Sequence, residues 1–289
     1  MHPLRRALSV SVLCGTSVAI LFGPGGAAAA SGTTTQKTLT SGGEARLYRV
    51  FKPPGLRGRS PLIVALHGAG GSGAKFERRS GWDGLAQRAH VLVAYPSAFK
   101  RGWRNNGQLD VRFLSSMLDA IERDYKVDRR RVYFTGFSSG AFMTYRIACD
   151  LAQRVPAIGP VAGAPVQDCA PPPTRPVAVI HIHGTADARI PYLGGRAIAN
   201  GHPFGQAFPS AFAMARRWVR WDHCSANAPS ARRGTVTTKV WRRCRAGTEV
   251  RLVTLAGWTH AFPTRADGAP IDGPSTIWGF LKRFSLPGH

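Results

Sequence analysis

Apolar positions along this chain fall into two rhythms. Short runs rich in β-branched, leucine and aromatic residues mark Ala45–Phe51, Leu62–His67, His90–Tyr95, Arg131–Phe137, Ile158–Ala162, Val177–His183 and Glu249–Leu255. Runs of this length with few polar interruptions read as strands covered on both faces. The second rhythm is helical. Between Asp110 and Tyr125, Val111, Leu114, Met117, Leu118 and Ile121 recur three and four residues apart, which gathers them into one stripe on a helix. Further helices are expected at Ser139–Leu151, Ser210–Trp221 and Ser275–Phe284. Strands alternating with helices predict the α/β class, a mostly parallel sheet with helices on both faces.

One change of rhythm carries chemistry. The apolar run ending at Phe137 meets Gly136-Phe137-Ser138-Ser139-Gly140 and then turns helical. A serine at a sharp strand-to-helix turn needs small neighbours, because side chains at Gly136 and Gly140 would strike the backbone. The helix that follows aims its N-terminus at Ser138, where unpaired amides and partial positive charge favour an anion. Two other strand ends supply partners. Val177–His183 leads into Gly184-Thr185-Ala186-Asp187, and Glu249–Leu255 leads into Gly257-Trp258-Thr259-His260. Serine, acid and histidine in this chain order, each just past a strand, is the arrangement of the α/β-hydrolases. Ser138 is then the nucleophile, His260 its base and Asp187 the group that orients the imidazolium. Leu62–His67 runs into the glycine-rich turn Gly68-Ala69-Gly70-Gly71. The backbone amides of Ala69 and Ser139 are the candidates for holding the oxyanion of a tetrahedral intermediate. Trp103, Tyr192, Trp258 and Phe262 fall in loops near these motifs and are candidate substrate-binding residues.

Composition narrows the setting. Residues 1–30 carry Arg5 and Arg6, an apolar stretch from Ala7 to Phe22 and a run of alanines. That is the pattern of a signal peptide, and the apolar stretch falls short of the roughly 20 residues that span a bilayer. A secreted chain without a stable membrane anchor is expected, with residues 31–43 a flexible Ser/Thr/Gly lead-in and 44–289 one catalytic domain. The formal net charge is +24. No zinc-finger spacing or RNA-binding aromatic motif accompanies it, so the expectation is no nucleic acid but loose attraction to anionic envelope polymers. Cys149, Cys169, Cys224 and Cys244 follow the leader, and an exported chain keeps such thiols oxidised. Four cysteines allow three pairings; Cys149 with Cys169 and Cys224 with Cys244 are favoured because each closes a modest loop. His181 and His183 alternate along one strand and so share a face. No third ligand stands at a fitting spacing, so they read as packed, hydrogen-bonded core residues, and neither metal nor cofactor is expected.

The motifs Leu66-His67-Gly68, Gly81-Trp82 with Ala94-Tyr95-Pro96, Gly136-Phe137-Ser138-Ser139-Gly140-Ala141, Pro160-Val161-Ala162-Gly163 and His181-Ile182-His183-Gly184-Thr185-Ala186-Asp187 resemble those of a secreted esterase family. That family includes polyhydroxybutyrate depolymerases, feruloyl esterases and acetyl xylan esterases. The resemblance covers about residues 45 to 284 and implies an α/β-hydrolase fold, a metal-free serine mechanism, and Ser138, Asp187 and His260 as the triad. Around the histidine the chain departs from the family: Trp258 precedes His260 and Phe262 follows it, which points to a different acyl pocket. No separate polymer-binding module stands behind a linker, which argues against efficient attack on crystalline polyester. The function expected is hydrolysis of hydroxyalkanoate esters or polyester through an acyl-serine. Removal of feruloyl or acetyl groups from plant polysaccharide is the alternative within the enzyme class. A non-catalytic, basic envelope-binding protein is the alternative outside it.

Overall fold

The computed structural model describes residues 31–104, 107–165 and 169–288. The expected signal peptide, residues 1–30, lies outside them. Residues Ser31–His289 form one compact unit.

The chain begins with an antiparallel pair, β1 (Thr33–Ser41) and β2 (Glu44–Lys52), and continues through β3 (Ser60–Leu66), α1 (Gly73–Ser80), α2 (Trp82–Ala89) and β4 (Leu92–Pro96). Then come α3 (Leu109–Asp124), β5 (Val127–Phe137), α4 (Ser139–Asp150), β6 (Ala157–Val161) and β7 (Ala178–Gly184). A two-stranded hairpin, β8 (Gly195–Ala199) and β9 (His202–Phe208), precedes α5 (Ala211–Trp221). The chain closes with β10 (Ser230–Arg233), β11 (Val236–Trp241), β12 (Val250–Leu255) and α6 (Gly273–Leu281).

Ten strands form one sheet in the order β1-β2-β4-β3-β5-β6-β7-β12-β11-β10. From β4 to β12 its neighbours run parallel, and the antiparallel pairs lie at the two edges. Alternation along β3 shows how the sheet is covered. Leu62, Val64 and Leu66 join the core under α3, α4 and α5, while Ile63 and Ala65 join the core under α1, α2 and α6. Every residue of β3 is buried, which is why the sequence there is apolar without interruption.

One expectation changes. Residues 31–43 are not a flexible lead-in: Thr33–Ser41 pairs with Glu44–Lys52 over its whole length. The strand is polar because most of its side chains are exposed, and its threonines favour extended backbone. The charged segment Gly73–Ser80 is a helix whose Ser72 side chain caps Lys75 N–H, and Phe76 and Glu77 face inward. The expected disulfides Cys149–Cys169 and Cys224–Cys244 are present, with Cα atoms 5.5 and 3.8 Å apart. No helix among the described residues is long and apolar enough to cross a membrane.

Candidate active site

Ser138 sits between β5 and α4 with φ 56° and ψ −119°, a backbone conformation that costs a residue with a β-carbon energy. Close approach of three segments imposes it. A β-carbon on Gly140 would lie 2.4 Å from the Leu66 carbonyl oxygen, and one on Gly136 would lie 2.3 Å from the Gly140 carbonyl oxygen. Only glycine lets the elbow and the end of β3 meet.

The acid and the base are brought to the elbow by β7 and β12, which pair in parallel. Beyond them the two loops bind each other: Ala186 N–H donates to the Trp258 carbonyl at 3.0 Å, and Gly257 N–H donates to the Thr185 hydroxyl at 2.9 Å. His260 Nδ1 lies 2.8 Å from Asp187 Oδ2, and its Nε2 lies 2.9 Å from Ser138 Oγ. An ionised carboxylate only accepts, so Nδ1 carries the proton, and Nε2 is free to accept from the Ser138 hydroxyl. Asp187 is buried, yet its pKa is lowered: desolvation pushes it up, but hydrogen bonds from His183, His260 and the Ile190 amide outweigh that. The Arg189 and Ile190 amides both reach Asp187 Oδ1, at 2.9 and 2.8 Å. The carboxylate is therefore held ionised and fixed in direction.

Ser138 and His260 open on a cleft of about 440 Å³ lined by Gly68, Ala69, Phe137, Arg189, Ile190 and Phe204. Ala69 stands on the cleft wall beside Ser138, and Ser139 is the first residue of α4. Both residues proposed to supply oxyanion amides are thus at the serine. His67, just before the glycine turn, is buried and braces it. Its Nε2 accepts from Ala98 N–H at 3.0 Å, so Nδ1 is the protonated nitrogen and donates to the Gly68 carbonyl at 2.7 Å.

The four rings named from sequence are not among the residues lining this cleft. Trp103 is buried, and its indole N–H donates to the His67 carbonyl at 2.8 Å, so it supports the glycine turn from behind. Phe262 packs edge-on against Phe76 and Phe137 in the core. Tyr192 bonds the Thr254 hydroxyl at 2.8 Å and meets the His183 ring edge-on. Trp258 turns its N–H back to the Ala261 carbonyl at 3.0 Å. Each ring brings a polar handle or apolar body that the loops themselves consume. The cleft wall comes instead from Phe137 beside the serine, Arg189 and Ile190 after the acid, and Phe204 on the hairpin. Phe137 lay within the motif and Arg189 two residues past Asp187. Phe204 had no signal, because its segment has no apolar period.

Sheet order and this geometry define an α/β-hydrolase fold with a Ser–His–Asp constellation. No family model matches the chain. Among curated proteins, feruloyl esterase C of Emericella nidulans is 32% identical over 190 residues, 62% of this chain and 70% of that protein. A bifunctional acetylxylan esterase/xylanase of Neocallimastix patriciarum is 27% identical over 85% of this chain. The chain spans only 34% of that relative's length, and 52% of a putative esterase from Nocardia uniformis subsp. tsuyamanensis that is 35% identical. Among solved structures, an acetyl xylan esterase from Aspergillus awamori superposes with a TM-score of 0.63 at 15% identity, covering 85% of this chain and 99% of that one. That likeness establishes the shared fold. The chain belongs to the esterase family that includes the feruloyl and acetylxylan esterases.

Proposed function

We propose that this protein is an exported serine esterase that cleaves feruloyl-type aromatic esters, or small acyl esters such as acetyl, from polysaccharide. The observation that carries the reading is the continuous set of bonds from Asp187 through His260 to Ser138 at the edge of an open cleft. In the proposed mechanism His260 Nε2 takes the Ser138 proton as Oγ attacks the ester carbonyl. The Ala69 and Ser139 amides receive the developing oxyanion, a contribution of about 3–4 kcal/mol per well-placed donor. His260 then protonates the departing alcohol, and a water activated by the same nitrogen hydrolyses the acyl-serine.

The curated relatives move the substrate from the hydroxyalkanoate esters expected from sequence toward feruloyl and acetyl esters. Phe137 and Phe204 on the cleft wall favour the aromatic acyl group, since flat rings pair edge-on or offset at such surfaces. The two disulfides suit an oxidising compartment, which supports export through the leader. Release of ferulate from methyl ferulate, set beside release of acetate from acetylated xylan and of 3-hydroxybutyrate from its soluble trimer, tests the choice. The aromatic reading requires the highest kcat/KM on methyl ferulate; preference for the trimer would return the assignment to hydroxyalkanoates.

A further inference from the structure

Beside Asp187, three buried groups stand in line. The Tyr145 hydroxyl lies 2.6 Å from His181 Nδ1, His181 Nε2 lies 2.9 Å from His183 Nδ1, and His183 Nε2 lies 2.8 Å from the Ile190 carbonyl. The same His183 Nε2 is 3.3 Å from Asp187 Oδ2. All three side chains are at most 2% exposed. They come from α4 and β7, and alternation along β7 sends both histidines to the α4 and α5 side of the sheet.

The donors in this line can be assigned from its ends. Both partners of His183 Nε2 are pure acceptors, a carbonyl and a carboxylate, so that nitrogen must carry a proton. A neutral His183 then accepts at Nδ1, which obliges His181 Nε2 to donate. Burial disfavours the charged form of His181, so with a proton on Nε2 its Nδ1 accepts and Tyr145 donates. Burial also raises the Tyr145 pKa, so the hydroxyl keeps its proton. Each donor–acceptor pair is satisfied with one polarity, running from Tyr145 toward Asp187. The reverse polarity would need a second proton on His183, an imidazolium between the Asp187 carboxylate and the His181 ring.

We propose that Tyr145, His181 and His183 form a directional hydrogen-bond chain that clamps the acid turn, with the His183 Nε2–H shared between the Ile190 carbonyl and Asp187, which makes His183 a positioning residue for the triad. Ile190 is thus held twice: its amide donates to Asp187 Oδ1 and its carbonyl accepts from His183. With the Arg189 and Ile190 amides on one carboxylate oxygen, and His183 and His260 on the other, Asp187 cannot rotate away from His260. The groups facing His183 are His181 from its own strand and Asp187 and the Tyr192 ring from the following turn; Tyr145 from α4 faces His181, and Arg217 on α5 acts on Tyr145. This role rests on the serine-esterase reading above.

The polarity is tested on the wild-type protein by the ring ¹⁵N and attached ¹H resonances of its histidines between pH 5 and 9. His181 and His183 should both carry a proton at Nε2 and accept at Nδ1. A proton on Nδ1 of either ring, or a doubly protonated His183, would overturn the assignment. The positioning role is tested by His183→Leu and His183→Gln. Gln keeps an N–H near the Nε2 position, whereas Leu fills space without one. Loss of a hydrogen bond to a charged group corresponds to about 10- to 100-fold. His183→Leu should lose that much kcat at nearly constant KM, and His183→Gln should recover most of it. A leucine variant with wild-type kcat, or a glutamine variant no better than leucine, would reduce His183 to a packing residue. If the leucine variant does not fold, the resonance assignment on the wild type still decides the polarity. Absence of Ser138-dependent ester cleavage in the wild type would instead defeat the esterase reading and leave the resonance result standing.

Discussion

Two regions line one cleft and are held in opposite ways. The floor, with Ser138, Asp187 and His260, rests on buried strand ends. Its glycines admit no β-carbon, and its polar atoms are tied by short bonds to amides and rings behind them. The β8–β9 hairpin contributes Phe204 to the same cleft, yet Phe204 is 51% exposed and Ile198 43%. The chemistry is built where a shift of half an ångström would break core contacts. Selectivity is built where a side chain can change at little cost to folding.

Substitutions should separate the two regions by size of effect. His260→Ala removes the base, and kcat should fall by on the order of 10⁶ with the fold intact by circular dichroism. Asp187→Asn keeps the shape of the acid but disturbs the tautomer of His260, and a loss of about 10⁴ in kcat is expected from steady-state rates. Gly140→Ala should cost about 3 kcal/mol or more in urea unfolding, because its β-carbon has only the Leu66 and His67 backbone to move.

A buried carboxyl remote from the triad calibrates how much a polar core group costs when its bonds do not outweigh burial. Asp222 is buried and accepts from the Thr248 hydroxyl at 2.8 Å and from the Val177 amide, and desolvation outweighs those bonds and the charge of Arg245 to push its pKa up to about 7. Its folded pKa thus lies above the unfolded value of about 3.9. The folded state therefore holds a proton that the unfolded state has lost, and stability falls as pH climbs from about 4 to about 7. Asp222→Asn should gain stability relative to wild type across that window, by about 1–3 kcal/mol at pH 8 and nothing at pH 4. Thermal unfolding at the two pH values checks the sign. The smallest effect belongs to the hairpin. Phe204→Ala should raise KM for methyl ferulate about 3- to 10-fold, leave acetate release unchanged, and alter stability by less than about 0.5 kcal/mol.

The same division explains what the sequence revealed. The central strands were legible because burial on both faces leaves few polar positions within them, and Ser138, Asp187 and His260 were legible because each follows such a strand. The structure sets those three side chains within hydrogen-bond reach of one another. The edge strands Thr33–Ser41 and Ser230–Arg233 and the hairpin at 195–208 were not legible, since exposed polar strands have no apolar period to detect. α1 and α2 are eight residues each and carry one or two inward turns, too short for a helical stripe to stand out. Trp103 and Phe262 misled for a different reason. A ring in a loop can face solvent, substrate or core, and only the fold shows that the Trp103 N–H is spent on the His67 carbonyl.

The central claim, that Ser138 is a nucleophile activated by His260, is tested most directly by intact mass after treatment with an aryl fluorophosphonate, followed by peptide mapping. The account predicts one adduct per chain, on the peptide carrying Ser138, with none in Ser138→Ala and a strongly slowed reaction in His260→Ala. An unmodified wild-type protein, or an adduct on another residue while Ser138 stays free, would contradict it.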